Sequence, residues 1–333
     1  MVVNPSQISE VRAKLILTIG TSWADFGSLS VRPKIPNAPQ RRPCLRRSTR
    51  HAIVPPMPLV ITSPHNPRIK SALQLRERKH REQTGLMLVE GDEELALALA
   101  SGARPQTLFV CPALIRARDS AQRLQTLQAQ SVDIIEVTES IFAKLAYREN
   151  PDGWLAVIPI QRQTLADIGL RLDEGVTRGH QPLLLVAEAM EKPGNLGALL
   201  RSADAAGADG VIVCDPRTDV YNPNVIRASK GTVFSVPVVE SESHTVLDWL
   251  RGRGIAIVAA TPHATAIYTE VDLRGPLVMA VGAEKEGLSP VWLEAATWQA
   301  RIPMVGQVNS LNVATAATLL MYEAVRQRIK REA

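Results

Sequence analysis

Three blocks in the C-terminal part of this 333-residue chain combine glycine with polar side chains able to bind and orient a ligand. The first is Pro193-Gly194-Asn195-Leu196-Gly197, running on to Arg201. The second is Gly282-Ala283-Glu284-Lys285-Glu286-Gly287-Leu288-Ser289, and the third is Ile302-Pro303-Met304-Val305-Gly306 followed by Asn309-Ser310-Leu311-Asn312. Each follows an apolar run of the kind that makes a buried parallel strand, and open α/β sheets place ligands at the carboxyl ends of such strands. Glycine in those loops lets main chain come close to a cofactor. One compound active site is therefore expected, and the polar side chains in or near these blocks include Asn195, Arg201, Glu284, Ser310 and Asn312. All of these but Arg201 also have a purely structural reading. Asn195 stands at a strand-to-helix junction, where asparagine is a good N-cap worth about 1 kcal/mol, and Ser310 and Asn312 could cap the last helix in the same way. Glu284 could be a solvated loop carboxylate beside Glu286.

Several familiar signatures are missing. There is no GxGxxG after a strand, no GxxxxGK[ST] loop, no HExxH and no GxSxG elbow, so dinucleotide, P-loop, zincin and serine-hydrolase readings lack their mechanical parts. What remains resembles the SPOUT methyltransferases, specifically the SpoU/TrmH family of RNA ribose 2′-O-methyltransferases. The stretch from Glu191 to Gly207 is similar to that family's first motif, with Asn195 and, six residues later, Arg201. Val281 to Leu288 is similar to its second motif, and Ile302 to Gly306 with Ser310-Leu311-Asn312-Val313-Ala314 to its third. Arg227-Ala228-Ser229-Lys230-Gly231 adds a fourth family-like stretch.

The resemblance covers most of residues 57–333. It implies an α/β fold: a C-terminal SPOUT-type parallel sheet with a trefoil knot, plus a smaller N-terminal α/β RNA-binding domain. It also implies S-adenosylmethionine bound against Gly282, Ile302, Leu311 and Ser310, with Thr261 a weaker pocket candidate, and a homodimer with the last helix in its interface. Ribosomal RNA is the expected substrate and transfer RNA the nearest rival; no metal is implied. Arg201, permanently charged, would hold an RNA phosphate and polarise the sugar hydroxyl. Two other classes remain open: a non-catalytic RNA-binding protein of the same fold, and a small-molecule enzyme on an ordinary doubly wound sheet.

The elements that must position these residues follow from apolar periodicity. In residues 182–333, short continuous apolar runs at Leu183–Ala187, Gly210–Cys214, Ile255–Ala260, Leu277–Val281 and Ala300–Pro303 read as strands covered on both faces. Helices are expected at Leu196–Ala206, Val246–Arg253 and about Val313–Arg331, the last with a broad apolar face. Residues 161–181, polar and dotted with Gly169, Gly175 and Gly179, read as an interdomain linker. Residues 57–160 read as a smaller domain, with strands at Leu86–Val89, Thr107–Val110 and Ile134–Val137 and helices at Asp92–Ala100 and Ala117–Gln130. A basic amphipathic stretch near its start suits a helix. Asn66, Arg68, Lys70, Arg76, Lys79 and Arg81 there form the expected RNA-binding face, since six Lys/Arg stand against two Glu between His65 and Glu82.

Composition bounds the class. The net charge of +5 belongs to residues 1–56, which carry nine Lys/Arg and two Asp/Glu, leaving −2 for residues 57–333. This Arg- and Pro-rich leader has no match in the family and reads as disordered. It has the composition of an organelle transit peptide, but a mis-called start with Met57 as the first residue is the preferred reading. Cys44, Cys111 and Cys214 form no CxxC pair, which argues against a disulfide framework or a zinc knuckle and fits a reducing, cytoplasmic setting. No apolar run is long enough for a membrane span.

Overall fold

A computed structural model describes residues 59–116 and 119–329. The leader, with Cys44 and Met57, lies outside the described residues, as do Ala117 at the expected start of one helix and Arg331 at the expected end of another.

The N-terminal region runs β1 (Leu59–Ile61), α1 (Pro67–Gln74), α2 (Arg78–Thr84), β2 (Leu86–Glu90), α3 (Asp92–Ala100), β3 (Thr107–Val110), α4 (Ser120–Ala129), β4 (Asp133–Val137), α5 (Glu139–Leu145) and β5 (Trp154–Pro159). Its sheet has the order β1-β4-β3-β5-β2, with β5 antiparallel to both of its neighbours. The basic stretch forms two helices where one was expected. The guanidinium of Arg81 folds back and donates to the carbonyls of Leu75 (2.8 Å) and Arg76 (2.7 Å), satisfying acceptors that a continuing helix would have used.

The C-terminal region begins with α6 (Leu165–Val176), inside the stretch expected to be a linker. A reciprocal cap starts it: the Thr164 amide donates to the Asp167 carboxylate (2.8 Å) and the Asp167 amide to the Thr164 hydroxyl (3.3 Å). Ile168 and Leu172 of α6 are buried against Leu184 and Val186, so this helix belongs to the second core.

Then follow β6 (Leu183–Glu188), α7 (Pro193–Ala206), β7 (Gly210–Cys214), α8 (Pro223–Ala228), β8 (Val238–Ser241), α9 (Ser243–Gly252), β9 (Ala256–Ala260), β10 (Ala266–Ile267), β11 (Leu277–Val281), α10 (Pro290–Ala295), β12 (Trp298–Arg301) and α11 (Val313–Ile329). The seven-stranded sheet has the order β10-β12-β9-β11-β6-β7-β8, and every pair is parallel. Alternate side chains of β6 serve two cores. Leu183 and Leu185 pack with α7 and α11, and Leu184 and Val186 with α6, α9 and α10. Both faces are covered, which is why these strands are continuous apolar runs.

Strand β12 ends two residues before the expected Pro303. Proline has no amide to donate to the ladder, so Ile302 and Pro303 pass into the following loop.

Candidate active site

Strands β12, β9, β11 and β6 are consecutive neighbours, and their carboxyl ends deliver the loops that begin at Ile302, Thr261, Gly282 and Ala189. A cavity of about 810 Å³ opens among the first three loops. Gly282, Ile302, Leu311, Thr261 and Ser310 all line it, and so do Glu284 and Asn312. The second and third glycine-containing blocks thus meet on one cavity.

Gly282 has a demonstrable reason to be glycine. A Cβ there would lie 2.1 Å from the main chain of Gly287, so the loop can fold back on itself only without a side chain at this position. Ala283 and Gly287 close the loop by an isolated antiparallel bridge, with the Gly287 amide on the Ala283 carbonyl at 2.9 Å.

The first block reaches this site by side-chain bonds. The Asn195 amide nitrogen donates to one oxygen of Glu284, and the Lys192 ammonium pairs with the other. The Asn312 amide nitrogen donates to the Asn195 amide oxygen at 3.1 Å. A carboxylate, two carboxamides and an ammonium from all three blocks therefore form one network at the cavity wall. Its bond to Glu284 pushes the Lys192 ammonium above its ordinary pKa.

Asn195 is not the helix cap. Helix α7 starts at Pro193 after Lys192, which places Asn195 inside the first turn with its side chain committed to Glu284 and Asn312. Asn312 does both things at once: its side-chain oxygen takes the amides of Ala314 (3.0 Å) and Thr315 (3.4 Å) at the start of α11, while its nitrogen reaches Asn195. Lys192 had no assigned role, and only folding brings it to a carboxylate 92 residues away.

Arg201 lies elsewhere. It is exposed on α7, does not line the cavity, and its guanidinium has no ion pair among the described residues. Six residues beyond Asn195, it sits about 9 Å further along the helix axis.

One member of the expected RNA-binding face, Arg81, is corrected by the structure. Arg81 is buried and paired with Asp219 of the C-terminal region, so it cannot meet a phosphate. The Arg76 guanidinium donates to the carbonyls of Lys144, Leu145 and Ala146, and lies 4.5 Å from the ring centre of Tyr147. Arg68 pairs with Asp133 at 2.5 Å, and the Asn66 side chain caps α1 through the Arg68 amide. Lys70 and Lys79 are exposed, with no ion pair among the described residues.

An all-parallel sheet covered on both faces, with polar groups gathered around one cavity at its carboxyl edge, defines a cofactor-binding α/β enzyme domain. Residues 182–322 match the SpoU rRNA Methylase family, and residues 66–156 match the MRM3-like substrate binding domain. The 23S rRNA (uridine(2479)-2′-O)-methyltransferase of Streptomyces viridochromogenes is 32% identical over 262 residues, which span 77% of this chain and 88% of that one. The crystal structure of an RNA 2′-O ribose methyltransferase superimposes with a TM-score of 0.69 at 43% identity, covering 81% of this chain and all of that one. That of the SpoU methyltransferase AviRb from Streptomyces viridochromogenes, in complex with AdoMet, superimposes with a TM-score of 0.70 at 30% identity over 80% of this chain and 100% of that one. The chain belongs to the SpoU rRNA methylase family.

Proposed function

We propose that this protein is an S-adenosylmethionine-dependent methyltransferase that places a methyl group on a ribose 2′-hydroxyl of ribosomal RNA. The observation that carries this reading is the convergence of the three blocks, bonded through Glu284, Asn195 and Asn312, on one cavity. The cavity's size suits a nucleoside-sized ligand, and the turned-back main chain at Gly282 shapes one of its walls. When bound, S-adenosylmethionine supplies a methyl group on a positively charged sulfonium.

Gly282, Ile302, Leu311, Thr261 and Ser310 would hold the cofactor in this reading, and Glu284, tied to Asn195 and Lys192, would fix the loop that carries Gly282. Asn195, Ser310 and Asn312 orient the sugar, Arg201, outside the cavity and further along α7, holds an adjoining phosphate, and the proton leaves to solvent. Alignment of this kind can lower a barrier by roughly 7–11 kcal/mol in favourable intramolecular cases. The chain threads a trefoil knot around the cavity, the N-terminal domain (57–160) contacts the RNA, and the setting is cytoplasmic. The protein works as a homodimer, and Leu319 and Tyr322 are exposed side chains on α11 that a second copy could cover.

Titration calorimetry with S-adenosylmethionine, followed by methyl transfer to bulk ribosomal and transfer RNA, tests the reading. Cofactor binding and ribosomal RNA methylation that falls at least tenfold in Arg201→Ala are expected. Failure to bind the cofactor would reject the enzyme, full activity in Arg201→Ala would reject the site, and methylation of transfer RNA alone would reject the substrate.

A further inference from the structure

The family-like stretch Arg227-Ala228-Ser229-Lys230-Gly231 plays no part in the site above, yet its two cations are exposed and have no ion pair among the described residues. Arg227 is in the last turn of α8 and Lys230 in the turn that leaves it. Their place in the fold is set by two close contacts. At Gly197 of α7 an added Cβ would lie 2.4 Å from the Cβ of Ala228, so α8 packs directly on the helix that carries Asn195 and Arg201. Seven residues on from Gly197, Asp204 accepts a hydrogen bond from the Ser235 hydroxyl at 2.8 Å. The face of α7 from Gly197 to Asp204 therefore runs alongside residues 228–235, with Arg201 between the two contacts.

The other side of the same turn touches the N-terminal region. A Cβ on Gly231 would lie 3.0 Å from the Cα of Glu94 and 3.1 Å from Leu97, both on α3. Lys230 thus stands at the seam between the two regions, held at φ 50. Glycine or asparagine is the usual residue at a left-handed helix exit, and a lysine there places a long cation where a residue without a side chain would serve the backbone better.

The free positive charge of the described structure is accordingly distributed otherwise than the sequence pattern suggests. Arg68 and Arg81 are neutralised by carboxylates, Arg76 is engaged by carbonyls and Arg78 pairs with Glu82. Arg201, Arg227 and Lys230 have no ion pair among the described residues and lie on contiguous elements between the seam and the candidate active site, while Lys70 and Lys79 keep free charge on the N-terminal region.

We propose that Arg227 and Lys230, continuing from Arg201, form the track on which the phosphate backbone of the RNA crosses from the N-terminal domain to the methyl-transfer cavity. This rests on the reading of the protein as an RNA methyltransferase. The partner is a phosphate polyanion, because the track offers exposed cations without ion pairs among the described residues and its neighbour site, in the proposed reading, acts on the sugar between two phosphates. The contacts are to phosphate and carry no base specificity.

The test is equilibrium binding of fluorescently labelled ribosomal RNA fragments across a salt series, with the wild type, the double variant Arg227→Gln/Lys230→Gln, and the double variant Lys70→Gln/Lys79→Gln. Each phosphate contact contributes about 0.7–0.9 to the slope of log K against log salt. Loss of Arg227 and Lys230 should therefore reduce the slope by roughly 1.4–1.8 and weaken RNA binding at least tenfold at low salt. S-adenosylmethionine affinity and melting temperature should stay at wild-type values; if the double variant melts early, each single variant should reduce the slope by about half as much. An unchanged slope in the Arg227/Lys230 variants, with the wild type binding RNA, overturns the track alone. A loss confined to Lys70→Gln/Lys79→Gln does the same. Wild-type protein that binds neither RNA nor cofactor removes the methyltransferase reading and the track with it.

Discussion

Asn195 makes the residue scale concrete. Its amide bonds two groups that the chain brings from 89 and 117 residues away, and both come from blocks that contain glycine. The network can assemble only if the loop after β11 turns sharply enough to hold Glu284 there, and that turn depends on the bare Cα of Gly282. Replacing it by alanine would drive a methyl group into main-chain atoms of Gly287 and Leu288, at 2.1 and 2.2 Å, which no rotamer change relieves. Gly282→Ala should therefore open the loop, lower S-adenosylmethionine affinity by more than tenfold and abolish methyl transfer, while the circular dichroism of the sheet stays unchanged. Wild-type cofactor affinity in this variant would mean that the loop after β11 does not shape the binding site.

At the scale of elements, what could be read in advance depended on whether the signal was local. Helix α3 has the bounds that its apolar spacing and the acidic start Asp92-Glu93-Glu94 imply, and β3 was equally legible. Helix α6 was not, because it buries only Ile168, Gly169 and Leu172 and its two glycines imitate a linker; its Thr164–Asp167 cap was the overlooked sign. The basic face misled for a different reason, since no local pattern reveals that Asp133 or Asp219 will approach. Elements also carry charge that the sequence does not price. Glu90, at the end of β2, accepts the amides of Tyr147 (2.6 Å) and Arg148 (3.4 Å), yet burial outweighs those bonds and raises its pKa above the ordinary 4.5. Burial raises Glu94 on α3 as well. A carboxylate whose pKa rises on folding favours the folded state fully below its unfolded value, and that contribution is lost as pH rises through the folded one. Glu90→Gln keeps an acceptor for Tyr147 without the buried charge. Its melting temperature relative to the wild type should rise between pH 4.5 and neutrality, measured by circular dichroism, and a difference independent of pH would contradict the assignment.

The two sheets act as one molecule because their seam is chemically specific. Arg81 of α2 and Asp219, in the loop after β7, form a buried pair; Arg162 bonds Glu240 at 3.2 Å, and the Tyr221 hydroxyl donates to the Gln161 carbonyl at 3.2 Å. One apolar cluster also runs through both regions, joining Met87, Leu95 and Leu108 to Val220, Val233 and Leu199. The Asp219 loop then reaches the candidate site directly, since the Thr218 hydroxyl donates to the carbonyl of Glu191, next to Lys192. The seam is thereby connected to the segment that pairs with Glu284. Removing one member of a buried ion pair strands the other, at a cost of about 3–5 kcal/mol. Asp219→Ala should lose stability on that scale in urea, and the wild type should unfold in a single transition that tryptophan fluorescence and circular dichroism report together. Trp154 in the N-terminal sheet and Trp292 beneath the C-terminal one are both fully buried, so they monitor the two regions. Two separated transitions in the wild type would show that the seam does not couple them.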